Sequence, residues 1–218
     1  LNLLYMKINS LSIIIPIFNE EDTICNLLET ICTVQLLQDI KKEIVIINDG
    51  STDNSDYVIR DFLQLHPEVD VKYLSLSGNL GKGHAIHMGI KKATGDYLII
   101  QDADLEYDPN EYNNLLKPII SGVADVVYGS RFIGSNPHRI LFFWHSIGNK
   151  FLTTMSNIFT NLNLTDMETC YKLFNTSMIK NLDLKEKRFG FEPEVTAKIS
   201  RIPKIRIYEV GISYYGRT

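Results

Sequence analysis

The sequence predicts an α/β domain with a mostly parallel central sheet and helices on both faces. Three observations carry that prediction. Strand-like and helix-like patterns alternate from Leu11 to Gly129, an order that gives parallel strands joined by helical crossovers. The strand-like runs are almost continuously apolar, as strands covered on both faces are. Turns rich in Gly, Asn and Asp recur where those runs end.

Each element has a local reason. Leu11–Ile17 is an apolar, β-branched run of strand length, and Pro16 is expected to end its pairing. Ile24, Leu27, Leu28, Ile31 and Val34 fall at helical spacing behind Asp22 and Thr23, which suit a helix start. Glu43–Ile47 is a second buried strand. It runs into Asn48-Asp49-Gly50-Ser51, where Gly50 permits a tight turn and Asp53 can cap a helix carrying Val58, Ile59, Phe62 and Leu63. Val71–Leu76 reads as a third strand, and Ala85–Ala93 as a helix behind a glycine-rich turn. Asp96–Gln101 is a fourth strand. Pro109 opens a helix lined by Tyr112, Leu115, Leu116 and Ile119, and Ala124–Gly129 is a fifth strand.

The pattern changes after about residue 133. Ile140, Trp144, Ile147, Phe151, Met155, Ile158 and Leu162 share one helical face, widened by Leu141, Phe142 and Phe143, with His138 and Arg139 at its start. Two readings fit: a thick core helix, or a helix that lies on a membrane surface or receives a lipid chain. Asn149, Lys150, Thr153, Thr154 and Asn157 make it too polar to span a bilayer. Thr165–Phe174 reads as a loop and strand, Phe191–Arg201 as a helix and Lys204–Val210 as a short strand.

Composition narrows the function classes. The net charge of −4 over 218 residues argues against a nucleic-acid partner, which needs a broad basic surface. Cys25, Cys32 and Cys170 lack C-x-x-C spacing and read as reduced thiols, so a cytoplasmic location is expected. Neither a secretory signal nor an uninterrupted membrane-spanning run is expected.

The chemistry gathers at the strand ends. Asp102-Ala103-Asp104-Leu105-Glu106 places three carboxylates just past the fourth strand, where open α/β sheets bind ligands. Such carboxylates repel unless a cation sits between them, and Mg²⁺ or Mn²⁺ completes its shell with substrate phosphates. The same residues also make an ordinary solvated acidic turn. Asn19-Glu20-Glu21, Asp49-Gly50-Ser51 and Asn79-Leu80-Gly81-Lys82-Gly83 end the other strands on the same sheet edge, and together the four turns describe a nucleotide site. Asp49 is placed to accept hydrogen bonds from a base or ribose. Lys82 is either near the ligand or a plain surface lysine, since the Walker spacing is absent.

Ile14-Ile15-Pro16-Ile17-Phe18-Asn19-Glu20, Asp49-Gly50-Ser51-Thr52-Asp53, Asn79–Gly83 and Asp102–Glu106 occur in the order and at the distances of a family-2 glycosyltransferase. The chain resembles that family over nearly its whole length. Gly129-Ser130-Arg131-Phe132, Thr165–Lys172 and Glu209–Arg217 resemble the polyprenyl-phosphate (dolichol-phosphate-type) mannosyl and glucosyl synthases. The resemblance implies a single GT-A (Rossmann-like) domain over residues 1–218, with a nucleotide-sugar half at about 11–132 and an acceptor half at about 133–218. It implies metal-dependent, inverting transfer of mannose or glucose from GDP-mannose or UDP-glucose to a polyprenyl phosphate, peripherally at the cytoplasmic face of a membrane. Pro16, Phe18, Glu20, Ile47 and Asp49 match nucleoside-binding positions. Asp102, Ala103, Asp104 and Glu106 match diphosphate and metal positions. Arg131 and Arg217 match arginines near the acceptor phosphate or the donor diphosphate, and Lys172 falls in the second group of motifs. Phe18 stands where many members have Tyr, Glu106 where some have Gln, and Gly211 where Pro is usual. The basic residues and membrane helices that follow in many members are absent here, which implies a longer chain or a membrane-anchoring partner.

An ionised phosphate acceptor needs arginines more than a general base. A sugar hydroxyl must lose a proton in the transition state. If a base is needed, Asp166 and Glu194 are the candidates, against the plainer readings of a loop cap and a solvated helix carboxylate. The alternative function is a family-2 transferase acting on a polysaccharide or other hydroxyl. A non-catalytic sugar-nucleotide-binding subunit is a third class, against which the intact Asp102, Asp104 and Arg131 speak.

Overall fold

The computed structural model describes residues 7–134 and 143–216. His138, Arg139, Ile140, Leu141, Phe142 and Arg217 lie outside them. The described residues form one seven-stranded sheet flanked by helices. Its strands are β1 (Ser10–Ile17), β2 (Lys41–Asn48), β3 (Val71–Ser75), β4 (Tyr97–Ile100), β5 (Val126–Ser130), β6 (Lys172–Asn175) and β7 (Ile207–Gly211), in the order β3-β2-β1-β4-β6-β5-β7. All neighbours pair parallel except β6, which runs antiparallel to both β4 and β5. The α/β class and the mostly parallel sheet are as the sequence predicts.

The side-chain period of two divides the core between the faces. Ile13, Ile15 and Ile17 of β1 pack with Leu27, Ile31, Phe62, Leu115 and Ile119 from α1 (Ile24–Thr33), α2 (Ser55–Leu65) and α4 (Tyr112–Ile120). Ile14 faces the other way, with Ile86, Ile90, Val195 and Ile199 from α3 (Lys82–Lys92) and α7 (Phe191–Ile199).

Pro16 does not end β1. The strand pairs with β2 through Ile17 and Asn48, and pairing with β4 stops at Ile14 and Ile100. Ile14 O accepts from Gln101 N on the β4 side, and Pro16, two residues on, faces the same side. Its missing N–H therefore falls where that ladder has already closed.

The fit is looser beyond residue 133. β6 and the short helix α6 (Thr176–Lys180) insert a reversed hairpin-like segment between β4 and β5, which the strand–helix alternation did not foretell. The helix α5 (Phe143–Thr160) forms, but not as a core helix: among its described residues only Thr153 is buried, and Trp144 is 76% exposed. No described helix is long and apolar enough to cross a membrane.

Candidate functional site

A cavity of about 630 Å³ opens beyond the C-terminal ends of β1, β2 and β4. Pro16, Phe18 and Glu20 line it from the turn after β1, and Asp49 from the turn after β2. Asn79, Gly81 and Lys82 enter from the start of α3, and Asp102, Ala103, Asp104 and Glu106 from the turn after β4. The far wall is Arg188 and Phe189.

The first two turns are stitched together. Asn19, at φ 57°, accepts from Thr52 N at 2.8 Å, and its own N–H donates to Ser51 Oγ at 3.0 Å. Glu20 N donates to Ser55 Oγ at 2.8 Å. The buried Asp49 carboxylate accepts from Leu80 N at 2.9 Å and Gly81 N at 2.7 Å. Its first role is thus to tie the glycine turn to β2, while it still borders the cavity.

Lys82 belongs to the cavity and is no plain surface lysine. Its Nζ lies 2.7 Å from Asp102 Oδ1 and 3.0 Å from Cys170 Sγ. Burial alone would raise the Asp102 carboxyl; Lys82, Cys170 and Lys172 outweigh it and hold the group below its ordinary range. Burial likewise pushes Lys82 down, yet Asp102, Cys170 and Glu192 carry it well above an ordinary lysine.

The three carboxylates of the acidic turn do not converge. Asp102 is turned to Lys82. Asp104 Oδ1 accepts from Glu106 N at 3.2 Å, across Leu105 at φ 61°. Glu106 Oε2 accepts the Tyr214 hydroxyl at 2.7 Å, and Glu106 O accepts Tyr215 N at 3.0 Å. Burial and then Glu106 push the Tyr214 phenol up to about 12. Among the described residues no cluster of three or more His, Cys, Asp or Glu side chains is poised around one metal position. In this arrangement Asp102 is engaged by Lys82 while Asp104 and Glu106 remain at the cavity. Asp104 and Glu106 border the same cavity as hard oxygen donors, and one or two carboxylates with substrate phosphates are what Mg²⁺ or Mn²⁺ takes. The donor set fits such an ion.

Several expected site residues lie elsewhere. Ile47 is fully buried in the core beneath the cavity. Lys172 is also fully buried; its ammonium donates to Thr169 O and sits 4.9 Å from the centre of the Tyr128 ring. Burial lowers its pKa, and it reaches the cavity only through its field on Asp102. Arg131 closes on Asp166, with Nε 2.7 Å from Oδ2 and Nη2 2.8 Å from Oδ1. Asp166 is wholly buried and also accepts from Asn149 of α5 at 3.2 Å. Burial would raise Asp166, but Arg131 and Asn149 more than reverse it. A carboxylate so committed is a poor proton acceptor, and this geometry suits Asp166 to anchoring the fold. Glu194 fares the same: it accepts from Lys185 N at 2.9 Å, Glu186 N at 2.8 Å and Lys198 Nζ at 2.7 Å. It holds a loop and does not line the cavity.

Sequence reasoning missed Arg188, Phe189 and Cys170. The signal for the first two was the charged run Lys185-Glu186-Lys187-Arg188 ahead of Gly190, which reads as surface until the fold brings it over α3. Glu168 does not line the cavity; burial, then Glu192, push its carboxyl above the ordinary range.

Known proteins resemble this chain in sequence and in fold. A dodecaprenyl-phosphate galacturonate synthase of Rhizobium johnstonii is 26% identical over 212 residues, 95% of this chain and 59% of that protein. The low-salt glycan biosynthesis hexosyltransferase Agl6 of Haloferax volcanii is 27% identical over 209 residues, 95% of this chain and 48% of that protein. A poly-β-1,6-N-acetyl-D-glucosamine synthase of Staphylococcus epidermidis is 36% identical over 104 residues, 48% of this chain and 24% of that protein. The chain thus spans from about a quarter to three-fifths of these relatives. Among solved structures, glucosyl-3-phosphoglycerate synthase of Mycobacterium tuberculosis with Mn²⁺, UDP and phosphoglyceric acid superposes with a TM-score of 0.72 at 17% identity, covering 96% of this chain and 72% of that one. The mannosyltransferase PcManGT of Pyrobaculum calidifontis with GDP-Man and Mn²⁺ gives 0.69 at 17% identity, covering 99% and 59%. Those likenesses show the GT-A, Rossmann-like fold. Residues 12–183 match the model of Glycosyl transferase family 2, and the chain belongs to that family.

Proposed function

We propose that this chain transfers a sugar from a nucleotide-sugar donor bound in the strand-end cavity. The observation that carries the reading is the convergence of four separate turns on one cavity bearing Asp49, Lys82, Asp102, Asp104 and Glu106. Asp49 fixes the glycine turn against which a nucleoside would lie. The Lys82–Asp102 pair sets a positive and a negative group on the floor without net charge. Asp104 and Glu106 would hold Mg²⁺ or Mn²⁺, which when bound offsets the charge growing on a departing nucleoside diphosphate. Glucose from UDP-glucose and mannose from GDP-mannose are the donors to try first, since the two solved relatives carry those nucleotides.

The comparisons favour a non-lipid acceptor, a hydroxyl. The products named for two relatives, glucosyl-3-phosphoglycerate and poly-β-1,6-N-acetyl-D-glucosamine, are not lipids. A hydroxyl must shed a proton in the transition state, so this reading requires a proton acceptor at the cavity. A polyprenyl phosphate is the second reading. It is favoured by the exposed apolar face of α5, which carries no acidic residue, and by the name of the rhizobial relative. That reading places the protein peripherally at the cytoplasmic face of a membrane, with or without an anchoring partner.

The test is release of nucleoside diphosphate from UDP-glucose, GDP-mannose and UDP-N-acetylglucosamine with Mn²⁺, each with sugar-alcohol, phosphoglycerate and polyprenyl-phosphate acceptors. A sugar product from one donor that EDTA abolishes is expected. A chain that neither binds nor turns over any of these nucleotide sugars would end the proposal, and a chloroform-soluble product would decide for the lipid.

A further inference from the structure

Segment 183–190 has no regular secondary structure, yet it is held at several points. Glu194, in the first turn of α7, accepts the N–H groups of Lys185 and Glu186. Lys198 donates to Asp183 O. On the opposite side His84 N donates to Lys187 O at 2.9 Å, so the segment lies directly on the start of α3. The contact is close enough to require glycine. A Cβ on Gly81 (φ 103°) would stand 2.6 Å from Lys187 O, and one on Gly83 2.6 Å from Glu186 O. The glycines of the turn therefore serve this packing as well as any ligand.

The segment delivers Arg188 to the cavity wall. Among the described residues two cations line that cavity, Lys82 and Arg188. Lys82 is spent on Asp102. Arg188 forms no ion pair among the described residues, although acidic side chains border the same space. A guanidinium held at a cavity wall by a pinned backbone, with no acidic partner among the described residues, is arranged to receive an anion, and its planar fork suits phosphate.

We propose that Arg188 grips the diphosphate of the nucleotide donor, and that Glu194 is a positioning residue that fixes the segment carrying it. The proposal rests on the nucleotide-sugar reading above. It gives the glycine turn, the 183–190 segment and Glu194 one shared purpose: a rigid cationic roof over the donor.

The test is calorimetric titration of the full chain, with Mn²⁺ present, by UDP, GDP, uridine and guanosine. The quantity read is the preference for diphosphate over nucleoside. Arg188→Ala should cut it about tenfold, as loss of a charge-assisted bond does, while nucleoside affinity stays level. Arg188→Lys should recover part of it. Glu194→Gln should lower it less, and should add nothing in the Arg188→Ala background, which a merely stabilising role would not produce. Arg188 is exposed, so its variants should melt with the parent. An undiminished preference in Arg188→Ala overturns the proposal and leaves the nucleotide reading standing. A parent chain that binds none of the four ligands overturns both.

Discussion

Arg131 and Asp166 are locked together by two parallel hydrogen bonds, 2.7 and 2.8 Å long, with the Arg131 backbone N–H adding a third at 3.1 Å. This buried pair ties the end of β5 to the loop before β6, and Asn149 draws α5 into the same knot. Removing one partner strands the other charge away from water. Asp166→Ala should therefore cost about 3–5 kcal/mol of stability, read from the urea midpoint at constant m-value. A base would behave oppositely, losing turnover while the midpoint held. An unaltered midpoint would refute the anchoring role.

Glu43 predicts how the fold responds to acid. It is buried at the opposite end of the sheet and accepts from Ser12 of β1, Lys72 of β3 and Thr94, whose N–H stands at 2.8 Å. Burial would raise its carboxyl, but Lys72, Ser12 and Thr94 bring it down to about 2. A depressed carboxylate contributes stability above its unfolded pKa and loses it as pH falls toward the folded value. Stability should thus decline between about pH 4.5 and pH 2, by on the order of 2–3 kcal/mol from this group. Glu43→Gln should be less stable at neutral pH and show a shallower decline. Unfolding curves across that window with the same slope in both proteins would refute it.

Tyr214 ties the segment after β7 to the acidic turn. Its hydroxyl donates to Glu106, and its ring lies 5.3 Å from the Arg131 guanidinium carbon. If Glu106 ligates the cation, the phenol is what orients that carboxylate. Groups that orient a ligand in this way are worth about 10–100-fold in metal affinity. Tyr214→Phe should weaken Mn²⁺ binding by about tenfold, measured by Mn²⁺ electron paramagnetic resonance with UDP present. Equal affinity in the two proteins would remove Glu106 from the ligand set.

Much of this architecture is legible in the sequence because parallel strands buried on both faces have to be apolar throughout, as Ile13–Ile15 and Val45–Ile47 are. Strand ends then mark themselves by Asp49, Asp102 and the glycine turn. What stays hidden depends on partners distant in sequence. Lys172 looks like a ligand-binding lysine until the Tyr128 ring is seen against its ammonium. Asp166 and Glu194 look like free carboxylates until Arg131 and the Lys185 and Glu186 amides arrive. β6 is four residues long, too short for periodicity to separate a reversed strand from a loop. Arg188 sits in a charged run whose default is solvent, and the packing of its segment on Gly81 and Gly83 brings it to the cavity wall while it stays exposed.

α5 poses the sharpest question about where the protein works. Phe143, Trp144, Phe151, Ile158 and Phe159 are each more than 60% exposed on a helix whose one lysine, Lys150, has no acidic neighbour along it. An apolar helix face with aromatic residues and no acidic charge suits the boundary between acyl chains and anionic headgroups. Full burial of one large apolar side chain is worth about 1.5–3 kcal/mol, so three of them dominate binding. The triple variant Trp144→Ser, Phe151→Ser, Phe159→Ser should lose most co-sedimentation with vesicles containing anionic lipid. The parent should bind, and less so in high salt, because screening weakens the basic contribution. A parent chain that stays in the supernatant at low salt would remove the membrane from the account and, with it, the main structural support for a polyprenyl-phosphate acceptor.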